Sequence, residues 1–108
     1  MQEYQKHFKI PETEERSWQT IYNEVVGALY DPKVDGPRIS GSCGGPLGSD
    51  GVWVILENLH DPEALYLNVT IRGKKLDIHA QNVTDEKIAK ITEVCRGFRE
   101  VPDAAEER

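Results

Sequence analysis

The chain has 108 residues, 38% hydrophobic and 30% charged, with a net charge of −6. That length fits one domain rather than two. The acidity disfavours long-range attraction to a nucleic-acid backbone, and no apolar run approaches the length of a membrane span.

Residues 1–11 are polar apart from Tyr4, Phe8 and Ile10 and read as an irregular arm docked through Phe8. Pro11, or Thr13 as a cap, starts a first helix. Trp18, Ile21, Tyr22, Val25, Val26 and Leu29 follow at helical period and form one apolar stripe. Glu12, Glu14 and Glu15 lie where the helix dipole favours acids. Asp31-Pro32 ends the helix, because the residue before a proline is pushed out of the helical region.

Residues 32–51 hold six of the nine glycines, together with Pro32, Pro37 and Pro46. They read as a long Gly/Pro-rich loop, with 38–40 as a short edge strand. Val-Trp-Val-Ile-Leu-Glu at 52–57 is apolar at both alternating phases, which suits a strand covered on both faces. Asp61-Pro62 marks a turn.

Residues 65–81 are patterned as a β-hairpin. Leu65, Leu67, Val69 and Ile71 alternate with Tyr66, Asn68, Thr70 and Arg72. Gly73-Lys74 supplies a two-residue turn with glycine first, as a type II′ turn requires. Pairing Arg72 with Lys75 sets Ile71 opposite Leu76, Val69 opposite Ile78 and Leu67 opposite Ala80. Every apolar pair then shares one face.

Thr84 is a good N-cap for a second helix, with Asp85 and Glu86 in its first turn. Val83 and Ile88 have the spacing of a hydrophobic staple. Ile88, Ile91, Val94, Cys95 and Phe98 make the buried stripe, Gly97 weakens the end, and residues 101–108 form a charged tail. The expected fold is α+β: an N-terminal helix, a three- to four-stranded antiparallel meander and a C-terminal helix, both helices on one face.

The other face is the candidate site. It carries Tyr66, Asn68, Thr70, Arg72, Asp77 and His79, with Lys74 in the turn. Asn68 opposes His79, and Thr70 opposes Asp77. A histidine beside a carboxylate suits proton transfer or metal ligation, yet two ligands define no metal site. Neither a catalytic constellation nor a cofactor motif is present, so no cofactor is expected. The Gly-rich loop supplies Arg38, Cys43 and Asp50 as candidate contacts. It follows a helix and precedes a strand, the reverse of a phosphate-binding loop. Cys95 belongs to the core. MQEYQKHFKIPETEE lacks the apolar segment of a secretory signal, so the expectation is a cytoplasmic protein with reduced thiols.

The order helix, three strands, helix is shared with double-stranded RNA-binding domains, which place a basic cluster at the start of the second helix. Here that position reads Thr84-Asp85-Glu86-Lys87, so the sequence assigns no family. Residues 65–82 carry three basic side chains and one acid, within an otherwise acidic chain. The leading function is a small acidic protein-interaction module without catalysis: an inhibitor, an immunity-type protein, an adaptor or a chaperone. A small-ligand binder or enzyme using the polar sheet face is the alternative, and nucleic-acid binding through the hairpin is the third reading. Sheet-edge pairing through 38–40 would give a homodimer.

Overall fold

The computed structural model describes residues 2–35 and 41–102. Their elements are β1 Gln2–Lys9, α1 Trp18–Leu29, β2 Ser42–Pro46, β3 Gly51–Leu56, β4 Tyr66–Arg72, β5 Lys75–Val83, α2 Asp85–Val94 and β6 Arg99–Val101. The described strands form one antiparallel sheet in the order β2-β3-β4-β5-β1-β6. The α+β class holds, and the sheet has six strands rather than the expected three or four. Only β2 to β5 run as a meander; β1 and β6 extend the sheet past β5.

The N-terminal arm is therefore a strand. Tyr4, Phe8 and Ile10 share a parity and are buried, and β1 fills the free edge of β5 from Gln2 to Lys9. Lys6 occupies the remaining inward position and reaches the sheet edge, where its Nζ lies 2.9 Å from Glu100. Part of the Gly/Pro-rich loop is also a strand, β2. The expected edge strand at 38–40 lies outside the described residues, as does the candidate Arg38. Val101, assigned to the tail by sequence, ends β6.

The hairpin has the expected register throughout: Arg72 opposite Lys75, Ile71 opposite Leu76, Val69 opposite Ile78 and Leu67 opposite Ala80. Gly73 turns it at φ 59°, a conformation that suits glycine. Near the end of β5, Asn82 adopts φ 62° where the β1–β5 register shifts. This bulge changes the parity, so Val83 is buried although Gln81 points outward. The Asn82 amide holds the preceding loop by donating to the carbonyls of Pro62 and Ala64, at 3.0 and 2.7 Å.

α1 starts later than expected. Its N-cap is Ser17, whose side chain accepts from the Thr20 N–H, and no acid lies in its first turn. Glu14 instead takes two bonds from the Arg16 guanidinium. That cation also donates to Glu24 and to the Val94 carbonyl and lies 5.3 Å above the Phe98 ring. It ties the segment before α1 to the end of α2. α2 begins at Thr84, as expected.

Ile21, Val25, Ala28 and Leu29 of α1 and Ile91 of α2, with Cys95 just beyond it, join the inward residues of β1, β4 and β5 in one apolar cluster. α1 lies over β3 and β4, whereas α2 leans mainly on α1. Within this layer Lys87 and Asp35 form an ion pair at 2.6 Å, each side chain 11% exposed. At Gly51 a side chain would stand 2.4 Å from the Ile71 carbonyl oxygen, so only glycine lets β3 start this close to β4.

Candidate functional site on the uncovered sheet face

Pleating sends alternate residues of each strand to the face opposite the helix layer. Adjacent strands bring these residues into cross-strand rows, because pairing sets each beside its neighbour. One row runs Cys43, Ile55, Asn68, His79 and Gln5. The next runs Gly45, Trp53, Thr70, Asp77, His7 and Val101. The last runs Gly51, Arg72, Lys75, Lys9 and Arg99. No described helix covers these rows.

The sequence-derived candidates Tyr66, Asn68, Thr70, Arg72, Asp77 and His79 all fall on this face, with Lys74 in the turn at its end. Asn68 opposes His79 and Thr70 opposes Asp77, as expected. Asp77 and His79 do not form a pair with each other. β1 supplies the partner of each: Asp77 Oδ1 lies 2.6 Å from His7 Nδ1, and His79 Nε2 lies 2.8 Å from Glu3 Oε2. The bond to His79 is the chief cause that holds the Glu3 carboxyl below its usual range, and Gln81 adds a second. Tyr66 packs edge-on against His79, centroids 5.5 Å apart, and its hydroxyl accepts from the Asn68 amide. Between these groups lies a shallow depression of about 220 Å³, lined by Gln5, His7, Asn68, Thr70, Asp77 and His79.

Sequence reasoning missed Glu3, Gln5, His7 and Lys9. The alternation of Tyr4, Phe8 and Ile10 was the available signal, and Lys6 broke it. Trp53 and Ile55 are half-buried on the same face, toward the β2 edge. A Cβ at Gly45 would lie 3.6 Å from Trp53 Nε1, ordinary van der Waals contact, so the indole lies against β2. Cys43 lies in strand β2 rather than a loop; it is exposed and outside any disulfide, whereas Cys95 is buried. Burial pushes the Cys95 thiol up to about 12. Asp50, in the β2–β3 turn, stands 3.8 Å from the Arg72 Nε.

Among the described residues no group of three or more His, Cys, Asp or Glu is placed to hold a metal ion, and no helix is long and apolar enough to cross a membrane. His60, Asp61 and Glu63 lie in turns held by Asn58 and Asp61 side chains. Compared with protein-family models, curated proteins and solved structures, the chain matches none of them.

Proposed function

We propose that this chain is a protein-interaction module that binds another protein on the uncovered face of its sheet. One observation carries the reading: the face runs from Trp53 and Ile55, through the two histidine–carboxylate pairs, to a row of cations, with no described helix over it. Aromatic groups beside fixed polar pairs suit a protein interface, whose apolar centre supplies affinity while the polar groups set register. The side chains are already held by cross-strand contacts, so little order is lost on docking.

Pull-down from the native host with quantitative mass spectrometry tests this, using the wild type, Asp77→Ala and His79→Ala as baits. A specific partner should be enriched by the wild type and depleted by about tenfold or more with each variant. Unchanged capture by both folded variants rejects the face as the interface.

The depression between His7 and His79 favours a second reading, a small anionic or hydrogen-bonding ligand held by the two imidazoles. Thermal shift against a metabolite panel separates the two, because only the second gives a saturable shift that His7→Ala removes.

A further inference from the structure

The last row of the face joins residues distant in sequence into a line of like charge. Arg72 is directly opposite Lys75, Lys75 opposite Lys9, and Lys9 opposite Arg99. Strands about 4.8 Å apart make this row about 14 Å long. Lys74 sits beside it in the turn. Like charges placed directly opposite one another across strands are destabilising, and here the arrangement is made three times over in a chain whose net charge is −6. Asp50 stands 3.8 Å from the Arg72 Nε at one end of the row. The neighbouring Asp77 is engaged by His7, and Glu100 by Lys6. Lys9, Lys74 and Arg99 form no ion pair with any described residue. A groove of about 370 Å³ adjoins the row, lined by Phe8, Lys9, Lys74, Lys75, Arg99 and Val101.

We propose that the row Arg72, Lys75, Lys9 and Arg99 is the seat for an acidic segment of the partner protein. This deepens the interaction reading above and rests on it. An extended segment of five residues spans about 17 Å, which matches the row and brings about three carboxylates within reach of the cations. Guanidinium forks at the two ends suit bidentate carboxylate recognition. The apolar atoms of Phe8 and Val101 give the segment a surface to lie against. A nucleic acid fits less well. Its phosphates would continue beyond the short row, past Asp50 at one end, against the field of an acidic protein.

The test is fluorescence anisotropy with a labelled penta-glutamate peptide at about 20 mM salt, where surface charges are weakly screened. The wild type should bind it. Lys9→Glu/Arg99→Glu should weaken binding by about tenfold or more, the loss expected from two charge-assisted contacts. A control, Lys33→Glu/Lys90→Glu, changes the net charge equally but away from the row, and should shift binding by less than about twofold because the screened field is local. The double reversal makes the Lys75–Lys9 pairing attractive and leaves the Lys9–Arg99 pairing like-charged as before, so the melting temperature should hold, which separates lost binding from lost folding. Equal weakening in both variants overturns the proposal, as does tighter binding of an oligothymidine of matched charge. Failure of the peptide to bind, with partner capture still lost in Asp77→Ala, overturns the acidic-segment proposal and leaves the interaction module standing.

Discussion

The two faces of this sheet are written in the same strands, one residue apart, and they are held in different ways. The inward face of β4 and β5 is Leu67, Val69, Ile71, Leu76, Ile78 and Ala80, all at or below 1% exposure. Each is stabilised by removal from water, which is nondirectional and accepts any apolar neighbour. The outward face is Tyr66, Asn68, Thr70, Asp77 and His79, half-buried by one another. There each contact is a particular pairing, such as Asp77 with His7 and His79 with Glu3. A face built from nondirectional burial tolerates changes of neighbour. A face built from specific pairs depends on which strand lies alongside.

The largest expected effect breaks the covered face. Ile78→Ala should cost about 3 kcal/mol, through lost burial and the cavity left behind. Thr70→Ala on the outward side should stay within about 0.5 kcal/mol. Urea unfolding of the two variants measures the contrast, and equal losses would remove the distinction between the faces.

A second experiment sharpens what the helix layer contributes. Asp35→Ala leaves the Lys87 ammonium without its partner at 11% exposure, so about 2–3 kcal/mol of stability should be lost. Adding Lys87→Met to that variant removes the stranded charge and should restore most of the loss. No recovery in the double variant would mean that Asp35 acts by another route, such as its bond from the Asp31 N–H.

The smallest effect concerns pH. The Arg16 guanidinium, aided by the Arg16 backbone N–H, holds the Glu14 carboxyl at about 2, below its usual 4.5. The folded chain therefore binds this proton less readily than the unfolded chain. The resulting stability is whole above about pH 4.5 and is lost as the pH falls from there toward 2. Glu14→Gln should make the fall in urea midpoint between pH 5.5 and 3 shallower than in the wild type. A parallel fall in both proteins would show that the pair adds nothing.

The hairpin was legible to the register because everything that sets it is local. Gly73 fixes the turn, and the alternation on both sides agrees with it. α2 was legible at its start through Thr84, Asp85 and Glu86. The beginning of α1 was misread because Glu12, Glu14 and Glu15 suit a helix start, whereas Glu14 is instead claimed by Arg16 and the cap is Ser17. β2 was hidden because Cys43-Gly44-Gly45-Pro46 has little strand propensity of its own; the free edge of β3 and the Trp53 ring give it a place. β1 was hidden because Lys6 interrupts its apolar alternation.

Half of the candidate site was thus readable. Tyr66, Asn68, Thr70, Arg72, Asp77 and His79 were placed on one face by period alone. Their partners Glu3 and His7 were not, and neither were the cations Lys9 and Arg99. By itself the sequence determined the class, the hairpin, the helix faces and which side of the sheet each hairpin residue takes. Those properties follow from periodicity and turn chemistry over a few residues. Only the tertiary structure decided that six strands join, that β1 lies against β5, and that Arg72, Lys75, Lys9 and Arg99 form a line. Strand order depends on which edges find partners across the whole chain, and no local period encodes that choice.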